Sequence, residues 1–136
     1  MINDAVRAFV ETKVRAENAA RDAVLLLYEN QPDTHKDGEP FLSVWTIFGN
    51  TLKKGIGADA RRELIGFVQI DSLVPVGSGL GEAKQRGSAI ADTLTQKSFR
   101  LAGGTVFFGE VHESNIRPFG GYQRVMFRVG FWVSVV

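Results

Sequence analysis

The residues of this chain that invite a chemical reading are a glycine cluster, two histidines and a few basic pairs. Gly77-Ser78-Gly79-Leu80-Gly81 stands between a strand-like run and a helix-like run, where a dinucleotide fingerprint would offer backbone N–H groups to phosphate. That fingerprint, G-x-G-x-x-G, needs its third glycine at Glu82, and an acidic residue about 20 positions on, where Lys97, Ser98 and Phe99 stand. A strand-to-helix turn accounts for the glycines without a nucleotide; a small-ligand domain using this turn is the weaker alternative. His35 lies in a polar stretch and His112 ends a strand-like run beside Glu110 and Glu113, and the sequence shows neither a convergent second ligand for a metal. No serine has a nucleophile-elbow context, and the chain has no cysteine, which removes thiolate catalysis, Cys-based zinc and disulfides. The expectation is a non-enzymatic protein with no cofactor and no metal.

Lys53-Lys54 and Arg61-Arg62 flank a glycine-rich stretch, and Arg124 and Arg128 share one face of the final strand. A nucleic-acid surface would add interleaved aromatics and a larger basic excess, whereas the formal net charge is only +1. The charge is unevenly placed. Residues 1–40 carry five basic and eight acidic side chains, and the rest carry 11 basic and 7 acidic ones. Solvated helix and loop surfaces account for this, with head-to-tail stacking of opposed faces as the sharper reading. The N-terminal MINDAVRAFVETKVRAE interleaves charge with apolar residues, which fits neither a signal peptide nor a membrane span.

The elements that must position these residues follow from periodicity. Ile2, Val6, Phe9, Val10 and Val14 recur at helical spacing with Arg7, Glu11 and Arg15 opposite, which predicts a helix over about residues 4–21. Ala23–Tyr28 reads as a strand, Glu29–Pro40 as a loop rich in proline and acidic residues, and Phe41–Phe48 as a second strand. Gly49–Ala60 reads as a long mobile hairpin loop, a candidate contact element flanked by Lys53, Lys54, Arg61 and Arg62. Arg62–Val74 is a strand with Leu64, Val68, Ile70 and Val74 on one face, and Ile65, Phe67 and Leu73 on the other, ended by Pro75. After the glycine turn, Ala83, Gly87, Ile90, Ala91 and Leu94 form the buried stripe of a second helix. A glycine inside that stripe costs about 1 kcal/mol of helix propensity, which is tolerated when backbone must approach the sheet closely. Thr105–His112 and Gln123–Val135 are strands separated by the turn-rich Glu113–Gly121.

The 136 residues, 44% of them hydrophobic, fit a single domain over residues 1–136. The element order predicts an α+β fold, a mainly antiparallel four- to five-stranded sheet with two helices packed on one face. Ile65, Phe67, Leu73, Met126 and Trp132 then point away from the helices. Burying such side chains gains about 1.5–3 kcal/mol each, so another subunit is the simplest cover. Tyr122, Arg124, Met126, Arg128 and Trp132 fall on this side of the last strand, and Arg, Met, Tyr and Trp are types enriched in protein interfaces.

One family matches these motifs. Arg62, Gly66 and Gln69-Ile70-Asp71, followed by Pro75-Val76-Gly77-Ser78-Gly79 and an Ala-containing helix, resemble the tail terminator proteins of long-tailed phages. Pro40-Phe41-Leu42-Ser43-Val44 and Gly121-Tyr122-Gln123 extend the resemblance over most of the chain. It departs at Ser72-Leu73 and in the longer acidic stretch Glu29–Pro40. The resemblance implies a virion tail protein, assembled in the host cytoplasm, that forms a ring, expected to be a hexamer, on the finished tail tube. Its implied partners are itself, the tail tube protein and a head–tail connector protein, with no membrane and no sequence-specific nucleic acid. Asp71, Arg124 and Arg128 become candidates for inter-subunit pairs, in a candidate interface of Asp71, Tyr122, Arg124, Met126, Arg128 and Trp132. Another neck or head-completion protein of the virion is the alternative.

Overall fold

A computed structural model of the chain describes residues 2–21, 23–29, 31–54 and 61–135. In chain order the elements are α1 (Ile2–Ala19), β1 (Leu25–Tyr28), β2 (Phe41–Lys54), β3 (Arg61–Pro75), α2 (Gly81–Asp92), β4 (Ser98–Leu101), β5 (Gly104–Phe119) and β6 (Tyr122–Val135). The strands form one sheet in the order β1-β2-β3-β6-β5-β4. β1 runs parallel to β2, and every other neighbouring pair is antiparallel.

The α+β class and the two helices on one face are as expected, while the sheet is larger and mixed, six strands rather than four or five. The parallel β1–β2 pair makes the sheet mixed, and three further corrections lengthen two strands and add a sixth. Gly49–Lys54 is not loop: a register shift between Phe48 and Thr51 lets β2 resume pairing with β3, so that Thr51 faces Leu64 and Lys54 faces Arg61. Gly49 suits this bend, since a Cβ there would sit 3.1 Å from the Ile65 carbonyl oxygen. Only residues 55–60 of the expected mobile loop remain, and they lie outside the described residues. Glu113–Phe119, expected as turn, continues β5 alongside β6, and the turn shrinks to Gly120-Gly121. Both glycines have positive φ, 52° and 83°, as two-residue hairpins with the right strand twist require. Ser98–Leu101, which carries no strand signal of its own, adds β4 at the edge.

The core lies between the helices and the sheet. From α1, Val6, Val10 and Val14 are wholly buried, joined by Ala83, Ile90, Ala91 and Leu94 from α2 and the segment after it. The sheet supplies Leu42, Val44, Val68, Ile70, Val74, Val106, Val125, Phe127, Val129 and Val133, the alternate residues of four strands. Gly87 faces this layer as expected: a Cβ there would come within 2.1 Å of the Phe127 ring. The link from α1 to β1 is fastened by Asn18, whose amide donates to the Val24 carbonyl at 2.8 Å and whose oxygen accepts from the Val24 N–H at 3.2 Å. No helix among the described residues is long and apolar enough to cross a membrane.

Candidate functional site

With both helices on one side, the other face of the sheet is built from the remaining alternate residues. Register places Ile47 beside Phe67, Trp45 beside Gln69, and Ser43 beside Asp71 across β2 and β3. Across β3 and β6 it places Ile65 beside Trp132, Gln69 beside Arg128, Asp71 beside Met126, and Leu73 beside Arg124. The sequence-predicted interface residues therefore share one face. Their environments, however, differ.

Towards the end of the strands that holds Ile47, Ile65 and Trp132 the face is apolar and uncovered. Trp132 is 43% exposed and Ile65 and Ile47 are each 38% exposed, values unusual for such side chains on a sheet with its own core elsewhere. Trp132 stacks on Phe107 with ring centres 5.3 Å apart. Arg128 lies over the Phe67 ring at 4.3 Å and donates to the Gln69 side-chain oxygen at 3.0 Å. These contacts hold a charged group flat on an apolar surface. Between Arg128 and Trp132 the strand carries Gly130, and Gly109 lies alongside, so a shallow groove of about 490 Å³ opens between the aromatic and basic walls, with His112 at its rim.

Towards the opposite end of these strands, where Phe41, Leu73 and Tyr122 lie, the same face is covered by the chain itself. Residues 31–40 lie over it and close a second small apolar cluster of Leu27, Phe41, Leu73 and Tyr122. The Tyr122 hydroxyl fastens this cover, donating to the Lys36 carbonyl at 3.0 Å and accepting from the Gly38 N–H at 3.1 Å. His35 stacks on Phe41 with ring centres 4.5 Å apart and meets Tyr122 edge-on. Thus Leu73, expected to be uncovered, and Tyr122, expected at a subunit interface, are both buried, at 3% exposure each, under residues of their own chain. The proline-containing composition of residues 29–40 marks a loop but does not say where the loop lies.

Asp71 sits at the floor of a cleft of about 400 Å³ between these two regions, whose walls include Glu29, Gln31, Asp33, Trp45 and Arg124. Only 1% of Asp71 is exposed. Loss of water pushes its pKa up, against the opposing pull of Arg124, a Gln69 hydrogen bond and Arg128. Arg124 of the same chain stands 3.9 Å from its carboxylate. Glu29, at the start of the covering segment, accepts from Arg7 at 3.0 Å and from the Thr46 N–H at 3.2 Å, tying α1, the segment and β2 together. Asp33 is bonded to the His35 ring, chiefly by that side-chain hydrogen bond, and its pKa is held below the usual value.

The remaining sequence candidates are placed by backbone alone. Lys53 pairs with Arg62 and Lys54 with Arg61 at the far end of the β2–β3 ladder. Gly77 and Gly79 have φ of 96° and 80°, a turn requirement that accounts for both glycines between β3 and α2. No group of three His, Asp or Glu among the described residues could hold a metal ion.

Comparison with known proteins gives a consistent outcome. The family model described as phage tail terminator protein matches residues 1–118. No curated protein matches the sequence. Among solved structures, a chain whose name states no function superposes with a TM-score of 0.78 at 18% identity, covering 98% of this chain and 96% of that one. A chain from the virion of a native gene transfer agent particle superposes with a TM-score of 0.65 at 18% identity, covering 96% of each chain. At such identity these likenesses establish the shared fold.

Proposed function

The chain belongs to the phage tail terminator protein family and is a structural protein of the virion tail, and from that premise we propose that it caps the tail tube. In this reading copies close into a ring, expected to be a hexamer, that ends tube polymerisation and offers the surface to which the head-side connector joins. The protein acts by contact alone, without catalysis, cofactor or sequence-specific nucleic-acid binding.

The observation that carries the ring is the uncovered apolar half of the sheet, with Trp132, Ile65 and Ile47 exposed beside a groove floored by glycine. A ring needs a heterologous contact, in which one patch meets a different patch on the next copy and the rotation closes. The face supplies such asymmetry: the end with Ile47, Ile65 and Trp132 is bare and the end with Phe41, Leu73 and Tyr122 carries residues 31–40. Arg128, Met126 and Trp132 are the interface residues we retain. Asp71 and Arg124 support the face from within.

The reading is tested by removing the protein from the assembling phage and measuring tails by electron microscopy. Tails of uncontrolled excess length are expected, and they return to one length when the wild-type chain is supplied. Normal-length tails attached to leaking or unfilled heads would instead assign the protein to head completion.

A further inference from the structure

In a ring, the bare groove of each copy meets a surface of its neighbour, and the chain displays a preorganised partner for it at residues 36–39. There the Glu39 N–H donates to the Lys36 carbonyl at 3.2 Å, and Gly38 has φ of 84°. This is a tight turn with glycine at the position that needs positive φ, and it puts Asp37 at the tip. The Tyr122 hydroxyl clamps the turn from beneath, through the Lys36 carbonyl and the Gly38 N–H. Tyr122 is itself buried in the sheet, so the clamp has a fixed base. Asp37 stands fully exposed, with the His35 ring 3.8 Å from its carboxylate. Residues 31–40 hold three carboxylates, Asp33, Asp37 and Glu39, against Lys36.

The groove presents a cation to match. Arg128 is exposed, lies on the Phe67 ring and gives an N–H to Gln69, whereas a guanidinium has five N–H groups to give. His112, its register partner on β5, is exposed at the rim. Glu110 also lines the groove, and the Gln96 amide donates to it at 3.2 Å. A carboxylate that reaches Arg128 there leaves water for an aromatic surround, where a charge-assisted bond is stronger.

The turn cannot fill the groove of its own chain. Tyr122, which holds the turn, and Arg128 stand six positions apart on β6. At about 3.3 Å per residue that is roughly 20 Å, well beyond the screening length of about 8 Å at physiological salt.

Resting on the ring reading, we propose that the 36–39 turn of one copy seats in the groove of the next, with Asp37 paired to Arg128. The contact is heterologous, since turn and groove are different parts of the chain, and so it passes from copy to copy until rotation closes it. Gly38 in the turn and Gly109 and Gly130 in the groove carry no side chains, so main chain can approach closely. A turn already clamped by Tyr122 loses little freedom on docking. The occupant is a second copy of this chain, because every copy carries both opposed charges in one-to-one ratio.

Since the chain has no cysteine, single introduced cysteines report the contact. Full-length chain with Lys36→Cys and full-length chain with His112→Cys, both exposed positions, are mixed equally on tail tubes and treated with a short bismaleimide. The expected product is a covalent dimer joining position 36 of one copy to position 112 of the next. Asp37→Arg and Arg128→Asp should each weaken ring formation by about tenfold or more, and the two together should restore it. Circular dichroism on each variant separates lost docking from lost folding. Rings that give no link between positions 36 and 112 would overturn this contact and leave the ring standing. Links from the His112→Cys chain only to the tube protein would assign the groove to the tube and overturn the contact. Tube ends with neither rings nor links would overturn both the contact and the ring itself.

Discussion

Replacing Gly87 by alanine sets two physical effects against each other in one side chain. Alanine in a helix interior is worth about 1 kcal/mol over glycine, so propensity alone predicts a more stable protein. Packing predicts the reverse. The new Cβ would lie 2.1 Å from Phe127 Cε2, 2.5 Å from Cδ2 and 3.0 Å from Cζ, whereas carbon atoms prefer about 3.5–4.0 Å. Phe127 is 2% exposed and packed in the main core, so its ring cannot swing into solvent. Overpacking of this kind costs typically 1–3 kcal/mol, and three ring atoms at or below 3.0 Å put Gly87 at the upper end. The net expectation is a loss of about 1–2 kcal/mol. For a domain of this size that lowers Tm by roughly 3–8 °C. Urea and thermal denaturation of Gly87→Ala measure it directly. Phe127→Ala alone should cost about 3–5 kcal/mol, and in that background Gly87→Ala should become neutral or stabilising, as the ring that opposed it is gone. A rise in Tm for Gly87→Ala in the wild-type background would refute the close approach of α2 to β6.

Other consequences can be measured with equally small changes. Tyr122→Phe removes the hydroxyl that joins the Lys36 carbonyl and the Gly38 N–H. It should cost about 1–2 kcal/mol and speed amide exchange across residues 31–40 while leaving the helices protected; unchanged exchange there would argue against the cover. Asp71 has its folded pKa raised from 3.8, chiefly by desolvation, so the folded state holds its proton more tightly than the unfolded state does. Its contribution is therefore most favourable below the unfolded value and is lost as pH rises through the folded value. Asp71→Asn should gain stability relative to wild type as pH rises above the ordinary carboxylate value, and a relative loss there would contradict the desolvation account. Trp132→Asp gives up stacking on Phe107 worth about 0.5–1.5 kcal/mol, yet should abolish ring formation; rings formed at wild-type protein concentration would remove the bare face from the interface.

Much of the fold was legible because its signals are local. The α1 stripe of Val6, Val10 and Val14 and the alternation through Val125, Phe127, Val129 and Val133 each declare their element and buried face within a few residues. What escaped the sequence depends on distant partners. β4 is four residues long with only Phe99 and Leu101 apolar, and it is a strand because β5 lies beside it. Glu113–Phe119 is polar and contains Pro118, so composition says turn, but β6 pairs along it to the Gly120-Gly121 hairpin. Gly49–Lys54 carries loop residues that pairing with β3 draws into the sheet after a bulge. The candidate site divides the same way. Alternation along β6 correctly collected Arg124, Met126, Arg128 and Trp132 on one face. It could not reveal that residues 31–40 fold back over Tyr122 and Leu73, because a loop's resting place is a tertiary property.

The most direct measurement of the central claim uses tail tube subunits growing into tubes in vitro. Purified chain is added during growth at about six copies per tube end, in keeping with a closed ring, and tube lengths are followed by electron microscopy. Growth should stop at once, with a ring visible at the end of each tube, and Trp132→Asp should leave growth unaffected. Tubes that keep lengthening in the presence of folded wild-type chain would contradict the account.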